Sequence, residues 1–380
     1  MIDFSLTDEQ QAFRDALRKF AQKEIAPLVD EYEEKAEYPQ FIFKKIAEPG
    51  YLGARFPEEA GGSGGDTMFS VIMSEELGYV SPAIYLGIYV HLYLSMSAIL
   101  FFGSTEQKDK YLVPGIRGDL IGAWGFAEPG AGSDPGSMTT RAQREGDDFI
   151  INGTKMFITN GTFADFVVVT AVTDPSLGMK GVSLFIVDKD TPGFSVSKKL
   201  KKMGMKASEA AELVFEDCRV PATNMLGQEN TGFVAAMGTL TEGRIVAAAF
   251  AVGMARAAYD AALAHAKIRE QFGKPIGKFQ GIQWMLADMA TQIEAAKLLT
   301  YQAAWLASNN APHIKESSMA KLFATEIASN VCSQAVQIHG GYGFMDEYPV
   351  SRFYRDCKLL EIGEGTSQIH RNTIARCIGL

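Results

Sequence analysis

The chain of 380 residues is poor in the side chains that build disulfides and metal sites. Its four cysteines, Cys218, Cys332, Cys357 and Cys377, lie far apart and form no CxxC pair, and its five histidines are scattered as well. Zinc sites are usually built from such residues at short spacing, so we expect no metal site. Widely spaced cysteines are also typical of proteins from a reducing compartment.

Common nucleotide-binding and targeting signatures are missing too. The sequence has no GxGxxG motif and no Walker loop, so it gives no support to a Rossmann or P-loop nucleotide site. A formal charge of −9 argues against nucleic acid as the main partner, although a local cluster of cations could hold an anionic ligand. The first residues show no basic segment before an apolar run, so we predict no signal peptide and a bacterial cytoplasmic location. A mature enzyme of the mitochondrial matrix would look the same.

Charge is absent from one long stretch, residues 81–104. Its apolar part, Ile84–Phe102, is long enough to span a bilayer. The stretch also contains a histidine and several serines, and ordinary acidic sequence flanks it. Because a large core also buries helices that are apolar all round, we interpret this stretch as a core helix and predict no membrane contact.

The predicted secondary structure changes twice along the chain, from helices to strands and back to helices. Residues 3–120 read as helices, beginning with a capping pattern at Thr7. Short apolar segments separated by Gly, Pro and Asp follow, including a predicted pair of strands around a turn at Asn152-Gly153. Long alanine-rich helical patterns then return. Further predicted strands are Phe166–Val172, Val182–Val187, Phe194–Val196 and Glu212–Phe215, and the late predicted helices are Gly232–Ala266, Gly281–Ser308, His313–Ile338 and Ser367–Arg376.

These patterns predict an α+β protein of three domains. We expect an all-helical N-terminal domain over residues 1–120 and a middle β-barrel or sandwich domain over residues 121–225. A C-terminal four-helix bundle would occupy residues 226–380.

Candidate functional residues lie in loops between these elements, and each has a plainer alternative. Glu364 stands between two glycines, where it could face a cleft as a general base or simply form a solvated turn. The Gly-rich segment 126–134 could wrap a planar or phosphorylated ligand, or be a surface loop. Arg269 could hold a phosphate through two hydrogen bonds, or end a helix in solvent. The glycines 340, 341 and 343 could form a ligand loop or a helix cap.

Five segments taken together are more specific than any one of them. These are FAEPGAGSD (126–134), NGTKMFITNG (152–161), REQFGKPIGKFQ (269–280), QIHGGYGFMDEYPVSRFYRDCKL (337–359) and IGEGTSQI (362–369). With them, the chain resembles the acyl-CoA dehydrogenase family of flavoproteins over essentially its whole length. The resemblance implies α,β-dehydrogenation of a short, branched or cyclic acyl-CoA to the 2-enoyl-CoA, in fatty acid or carboxylic acid degradation. It also implies bound FAD, electron transfer to an electron-transferring flavoprotein, and a homotetramer built as a dimer of dimers.

The resemblance also assigns roles to individual residues. Glu364 matches the base that removes the α-proton, and burial beside the ligand would raise its pKa toward neutrality. Residues that match cofactor contacts are Phe126, Ala127, Ser133, Phe157, Thr159, Arg269, Phe272, Gln337, Gly340, Gly341, Thr366 and Gln368, of which Arg269 and Gln337 to Gly341 would act across a subunit interface. Residues expected near the acyl-CoA are Tyr89, His91, Ser133, Arg244, Gly363, Gly365 and Arg376.

Departures from the family pattern bear on the substrate. Many members have threonine where this chain has Ala127, so we expect altered but not lost FAD binding. Straight-chain members often have tyrosine at the position of Gly363, which predicts a pocket that accepts branched or cyclic acyl groups. Some members carry their base at the position of Gly243, so that alternative is absent here, and Glu242 should face elsewhere. His91 could be a polar group in the pocket floor or a hydrogen-bonded core histidine.

Two other functions stay open from the sequence. A non-catalytic relative could bind acyl-CoA or flavin as a scaffold, and the intact base position argues against it. An acyl-CoA oxidase would use dioxygen, and such relatives usually have longer chains.

Overall fold

The computed structural model describes residues 5–380 and places helical regions on both sides of a central sheet region in the sequence. The first helix begins as predicted, because the Thr7 hydroxyl accepts a hydrogen bond from Gln10 N at 3.2 Å and the Gln10 side chain accepts one from Thr7 N at 3.1 Å. Within the described residues the α-helices are α1 (Asp8–Phe20), α2 (Val29–Lys35), α3 (Ile42–Ala47), α4 (Thr67–Val80), α5 (Pro82–Tyr89), α6 (Ser97–Phe102), α7 (Thr105–Gln107), α8 (Val113–Ile116), α9 (Gly232–Ile268), α10 (Gln280–Ser308), α11 (Ile314–His339), α12 (Pro349–Leu360) and α13 (Ser367–Cys377).

The strands are concentrated in the middle of the chain. Over the same described residues they are β1 (Gly122–Gly125), β2 (Arg141–Glu145), β3 (Asp148–Thr159), β4 (Phe166–Val172), β5 (Val182–Asp188), β6 (Phe194–Lys199), β7 (Ala210–Pro221), β8 (Met225–Leu226), β9 (Glu270–Gln271) and β10 (Lys274–Pro275). The order helical, β, helical confirms the predicted three-domain fold class. The exact boundaries remain our proposal, and the one placed after residue 225 falls inside β8.

The middle domain folds its sheet over on itself. The strand order is β6-β7-β3-β2-β4-β5-β8, with β1 beside β4, but a single residue pair, Arg141 with Val172, joins β2 to β4. The two halves therefore face each other. Phe149 of β3 and Phe185 of β5 bring their ring centroids within 4.9 Å although their strands are not neighbours. This is the two-layer packing of a β-sandwich.

The predicted turn at Asn152-Gly153 was wrong. β3 runs straight through these residues and pairs with β7 on both sides, with a register shift between Ile151 and Gly153. An Asn-Gly pair suits a β-bulge as well as a hairpin turn, because either can use an irregular backbone. The true hairpin joins β2 to β3 at Gly146, whose φ is 64°.

One half of the sandwich also packs against the helices. In β4, Val167 and Val169 point into the sandwich core, while Phe166 and Val168 join the core of the helical domains. Both faces of this strand are therefore buried, which explains why its residues are apolar except for Thr170, whose hydroxyl is hydrogen-bonded.

The uncharged stretch is a buried helical rod, as predicted. It consists of α5, a π-helical segment at Val90–Met96, and α6. Among residues 5–380, two helical regions are long and apolar enough to cross a membrane, at residues 82–102 and 232–268, but 89% and 78% of their apolar windows are buried inside the protein. A buried core helix of a globular protein meets the same criteria of length and hydropathy.

Helix α9 is the central element of the C-terminal domain. It packs against α11 and α10 in its own domain and against α4 in the N-terminal domain. A Cβ added at Gly253 would lie 2.3 Å from the Glu75 carbonyl oxygen, so only glycine permits this close approach of α4. Helix α9 thereby fixes Gly243 and Arg244 relative to both helical domains.

Candidate active site

The loop between α12 and α13 turns sharply at the predicted base. Glu364 has φ 58° and Gly365 has φ 90°, so two consecutive residues are left-handed. Glycine accepts this conformation without cost, but for a glutamate it is unfavourable and must be held by its surroundings. The chain then enters α13 through Thr366, whose hydroxyl accepts a hydrogen bond from Ile369 N at 3.3 Å.

Two buried side chains hold this turn by its carbonyl groups. His370 Nε2 lies 3.1 Å from the Glu364 carbonyl oxygen and donates to it, since a carbonyl can only accept. Burial lowers the pKa of His370 to about 3, so the ring is neutral. The Lys321 ammonium, on α11, donates to the Gly365 carbonyl oxygen at 2.6 Å. Side chains from α13 and α11 thus hold the carbonyl groups of two successive residues, Glu364 and Gly365.

The carboxyl group of Glu364 lies over α9. A Cβ added at Gly243 would be 3.0 Å from Glu364 Oε2 and 3.2 Å from the Tyr89 hydroxyl, so the three residues meet. Tyr89 donates to the Gly243 carbonyl oxygen at 3.0 Å. Glu364 Oε2 is shielded from solvent and has no hydrogen-bond partner among residues 5–380. Glu242, by contrast, faces away from this point and pairs with Arg55 at 2.6 Å, as predicted for its position on the helix.

The surroundings tune Glu364 for proton transfer at neutral pH. Burial raises its pKa from 4.5 to about 7, and this effect exceeds the opposing influence of Tyr89, Lys321 and Arg244. A carboxylate with a pKa near the working pH is suited to general acid–base catalysis.

Arg244 follows Gly243 on α9 and is also largely buried. Burial lowers the pKa of its guanidinium, and its Nε has no hydrogen-bond partner in the described part of the chain. A buried, incompletely paired guanidinium is suited to an anionic or carbonyl group of a ligand. Arg376 is exposed on the last turn of α13, and Gly363 leaves space, because the nearest described atom to an added Cβ is the Leu359 carbonyl oxygen at 3.5 Å.

A second group of predicted residues forms an aromatic shelf at the edge of the middle domain. Phe157 has φ 64° at a bulge in β3, and its ring is 69% exposed. The neighbouring loop is joined to β3 by a hydrogen bond from Met156 N to the Ala127 carbonyl oxygen at 2.9 Å. The ring of Phe126 in that loop is nearly parallel to the ring of Trp124 in β1, at an angle of 7°. An exposed aromatic in a strained conformation is a feature of ligand sites.

The remaining predicted residues of this region flank the shelf. Ser133 is exposed in the loop, and Thr159 is half-buried at the end of β3. Ala127 contributes its backbone carbonyl to β3 and no hydroxyl.

A third group surrounds a cavity of about 470 Å³ beyond the C-terminal end of α9. Its lining includes His265, Arg269, His339, Gly340 and Gly341. The Arg269 guanidinium also lies 5.2 Å from the centre of the Tyr342 ring, and Gly340 has φ 61° and ψ −137°, a conformation that essentially only glycine adopts. Gln337 is exposed one turn earlier on α11, and Phe272 is 91% exposed.

The residues around Glu364 and the cavity at Arg269 are far apart within one chain. Gly243 and Ile268 lie on the same helix, 25 residues apart, which corresponds to roughly 37 Å at 1.5 Å per residue. This distance exceeds the length of an extended dinucleotide. Arg269 of one chain therefore cannot contact a cofactor that also reaches Glu364 of the same chain.

His91 does not belong to the candidate substrate site. Its Nδ1 accepts from Gly122 N at 3.0 Å, and its Nε2 lies 3.0 Å from the Gly115 carbonyl oxygen. The ring is fully buried, and burial lowers its pKa to about 4. The interpretation of His91 as a pocket residue is therefore wrong, and the alternative of a hydrogen-bonded core histidine describes it. Thr366 serves as a helix cap, and Gln368 is exposed on α13.

Sequence reasoning missed the residues that support the site from behind. Lys321 and His370 hold the carbonyl groups of the Glu364 turn, and Lys155 of β3 pairs with Glu128 at 2.9 Å and donates to the Phe126 carbonyl oxygen at 3.3 Å. None of these four residues belonged to the predicted set. The helical face that Lys321 shares with Ser317, Ala324 and Ala328 could have predicted that Lys321 is buried, but not that it contacts the Glu364 turn. Among residues 5–380, no group of three or more His, Cys, Asp and Glu side chains is placed to hold a metal ion.

Three family models match the chain in order. The acyl-CoA dehydrogenase N-terminal, middle and C-terminal domains match residues 7–119, 123–218 and 230–379. The chain is 48% identical to the probable acyl-CoA dehydrogenase YngJ of Bacillus subtilis, over 99% of each chain. It is 45% identical to the caffeyl-CoA reductase-Etf complex subunit CarC of Acetobacterium woodii, over 97% of this chain and 98% of that one. Its structure matches butyryl-CoA dehydrogenase from Megasphaera elsdenii with a TM-score of 0.97 and 42% identity, over 99% of this chain and 100% of the other.

Proposed function

The chain belongs to the acyl-CoA dehydrogenase family of oxidoreductases, and we propose that it interconverts a short acyl-CoA and its 2-enoyl-CoA with Glu364 as the proton-transferring residue. The observation that carries this proposal is the Glu364 carboxyl group. It is held over Gly243 and beside Tyr89, with a shielded oxygen and a pKa of about 7. In the direction of dehydrogenation Glu364 removes the α-proton, and Arg244 and the backbone around the base bind and orient the CoA thioester.

The residues present fit FAD. FAD, when bound, supplies the group that accepts the hydride from the β-carbon of the substrate. The exposed ring of Phe157 beside the Phe126–Ala127 loop is suited to a flat aromatic ring system, and Ser133 and Thr159 offer hydroxyls there. On the other side of the base, Thr366 and Gln368 would contact the same group.

The cavity at Arg269 fits the other half of such a cofactor, but on a second subunit. Its guanidinium and the bare backbone of Gly340 and Gly341 are suited to a diphosphate and a nucleoside. The distance along α9 separates this cavity from Glu364 of the same chain. We therefore assign Arg269, Phe272, Gln337 and the two glycines to the FAD of a partner subunit, in a homotetramer built as a dimer of dimers.

The direction of the reaction depends on the electron partner. We propose that an electron-transferring flavoprotein takes or delivers the electrons, and the relative named as a subunit of a reductase-Etf complex supports this assignment. In the reductive direction a protonated Glu364 would deliver its proton to the α-carbon. A pKa of about 7 suits both roles, because both protonation states are populated near neutral pH.

For the substrate we propose a short acyl group that is branched or cyclic near the α- and β-carbons. The open space at Gly363 supports this choice. The butyryl-CoA dehydrogenase relative supports the short length. For the location we propose a reducing compartment such as a bacterial cytoplasm, which suits the four free cysteines of the described chain.

The test is anaerobic bleaching of the oxidised flavin band by a panel of thioesters, with Glu364→Gln in parallel. The panel contains straight C4 to C16 acyl-CoAs with isobutyryl-, isovaleryl-, 2-methylbutyryl-, glutaryl- and cyclohexanecarboxyl-CoA. Rapid bleaching by a short branched or cyclic thioester, abolished in Glu364→Gln, is the expected result. Protein that contains no flavin, or that dithionite reduces but no thioester does, would indicate the scaffold alternative. Stoichiometric oxygen consumption with acyl-CoA would indicate an oxidase.

A further inference from the structure

Lys321 is a buried cation directly behind the candidate base. It lies in the first third of α11 and is only 1% exposed, and its ammonium donates to the Gly365 carbonyl oxygen at 2.6 Å. Lysine is almost never fully buried unless it is paired, because desolvation disfavours its charged form. Apolar residues would fill this position in an ordinary helix core, so the ammonium calls for a specific explanation.

The charged groups around Lys321 come from the Glu364 loop and from three helices, α9, α11 and α12. Carboxylates face it from Glu364 in the loop, Glu361 at the end of α12 and Glu326 on α11 itself, and Arg244 opposes it from α9. Glu361 is also engaged by Lys358 at 2.8 Å and by the Ser329 hydroxyl. Glu326 pairs with Arg371 at 2.7 Å on the surface. Glu361 and Glu326 thus each have an ion-pair partner within 4 Å, whereas Glu364 has none among the described residues and its Oε2 has no hydrogen-bond partner there.

Lys321 also contacts the backbone next to the candidate base. A glutamate at φ 58° persists only where surrounding contacts determine its conformation. Two such contacts exist, from His370 to the Glu364 carbonyl and from Lys321 to the Gly365 carbonyl. His370 is neutral and can only orient the loop. Lys321 both orients the loop and places a positive charge beside it.

We propose that Lys321 is a positioning residue for the base, which keeps Glu364 in its left-handed conformation over Gly243 and places the charge of a buried ammonium beside this turn. The inference rests on the proposed role of Glu364 as the base. Lys321 contributes a charge and a hydrogen bond although it is not one of the proposed ligand-binding residues. The packing of α11 against the loop would then determine the position of the base.

The test isolates proton transfer from hydride transfer. Acetyl-CoA and 3,3-dimethylbutyryl-CoA have α-hydrogens but no β-hydrogen, so they cannot be dehydrogenated. Exchange of their α-hydrogens with D₂O, followed by mass spectrometry between pH 5.5 and 9 on the flavin-containing protein, reports the base alone. Glu364→Gln gives the background rate.

Three variants separate the two contributions of Lys321. Lys321→Met removes the hydrogen bond and the charge, Lys321→Gln keeps a donor without charge, and Lys321→Arg keeps both. Lys315→Met, at the start of the same helix and partly exposed, is the matched control. Flavin content and thermal melting show which variants are folded.

In Lys321→Met we expect exchange at pH 7 to fall about tenfold or more and its pH midpoint to rise by about one unit, since one pKa unit corresponds to a tenfold change in the ionised fraction. Lys321→Gln should have the same raised midpoint as Lys321→Met but a higher plateau rate of exchange. Lys321→Arg should return the midpoint toward that of the parent. If Lys321→Met does not fold, the comparison of Gln with Arg decides the matter by the same midpoint.

Two outcomes would overturn the inference in different ways. Equal rates and midpoints in the parent and the folded Lys321 variants, with exchange abolished by Glu364→Gln, would leave the base assigned and Lys321 without a role. Equal exchange in the parent and Glu364→Gln would remove the proposed role of Glu364 itself, and the positioning role with it.

Discussion

The ammonium of Lys155 lies 2.9 Å from a carboxylate oxygen of Glu128, with the two side chains 0% and 1% exposed. Glu128 also accepts hydrogen bonds from Thr139 N at 2.7 Å and Thr140 N at 3.0 Å, and Lys155 donates to the Phe126 carbonyl oxygen at 3.3 Å. Burial opposes the ionisation of Glu128, but Lys155 and the threonines outweigh it and lower its pKa to about 2. The pair therefore ties the loop of the aromatic shelf to β3 from beneath.

Lys155→Met should weaken both the fold and flavin binding. Glu128 would remain buried without its cation, which typically costs about 3–5 kcal/mol of the free energy of unfolding. The loop that carries Phe126 would lose one of its attachments to β3, so the flavin content of the purified protein should fall. Denaturant unfolding and the flavin-to-protein absorbance ratio measure the two effects. The control is Lys189→Met, which removes a half-exposed lysine paired with Asp165 in the same domain and should change neither quantity appreciably.

Gly243→Ala should lower the activity without lowering the stability. Alanine favours a helix interior by roughly 0.8–1 kcal/mol over glycine. However, its Cβ would lie 3.0 Å from Glu364 Oε2, so the carboxyl group must move. We expect kcat to fall about tenfold or more while the melting temperature is unchanged or rises. Gly238→Ala is the matched control on the same helix, because its Cβ would meet the nearest described atom only at 3.9 Å. A kcat loss of equal size in both variants would contradict the proposed position of the base.

The fold followed from the sequence wherever a strong local pattern coincided with tertiary burial. The strand Phe166–Val172 was predicted with its observed limits, because a strand buried on two faces is typically a short run of mostly apolar residues, as this one is. The Asn152-Gly153 pair was misread because its local preference is shared by a turn and a bulge, and only pairing with β7 decides between them.

The candidate site was predicted only where a motif carries it. Glu364 is marked by its flanking glycines, whereas Lys321 and His370 reach it through the packing of α11 and α13, which no local pattern encodes. His91 shows the opposite limit. A histidine in an apolar helix suggested a ligand contact, but the backbone groups of Gly115 and Gly122, brought to it by the fold, satisfy both of its nitrogens.

Glu364→Gln should stabilise the protein at alkaline pH and have little effect at acid pH. The pKa of Glu364 is raised from 4.5 to about 7, so between these values the unfolded chain releases a proton that the folded chain keeps. The free energy of unfolding therefore falls as pH rises through this window, and above pH 7 the full cost of ionising a buried carboxyl is present. We expect the variant to exceed the parent by about 1–3 kcal/mol at pH 8. Unfolding curves at pH 5 and pH 8 measure this difference, and a stabilisation that is larger at pH 5 would refute the assigned shift.

Gly363→Tyr should narrow the range of substrates. The backbone at Gly363 leaves room for a side chain, since an added Cβ meets the Leu359 carbonyl oxygen only at an ordinary contact distance of 3.5 Å. A tyrosine there would fill the space that we assign to branched or cyclic acyl groups. We expect kcat/KM for such thioesters to fall about tenfold or more, with butyryl-CoA changed by less than about threefold, consistent with a few kcal/mol for steric exclusion. Gly363→Ala is the intermediate control. An equal loss for straight and branched thioesters would show that Gly363 does not face the acyl group.

Mixed assemblies should show whether the cofactor site is shared between subunits. Arg269 and Glu364 of one chain are too far apart to contact one dinucleotide, because roughly 37 Å of α9 separates Gly243 from the helix end that precedes Arg269. Arg269→Ala and Glu364→Gln assemblies should each have little activity. A dimer with one subunit of each kind would contain one site with both defects and one intact site, so co-expression with two affinity tags should recover about half of the parent activity per mixed dimer. If each site lay within a single chain, both sites of the mixed dimer would be defective, and no activity would return. Unmixed variants purified through the same two tags provide the baseline.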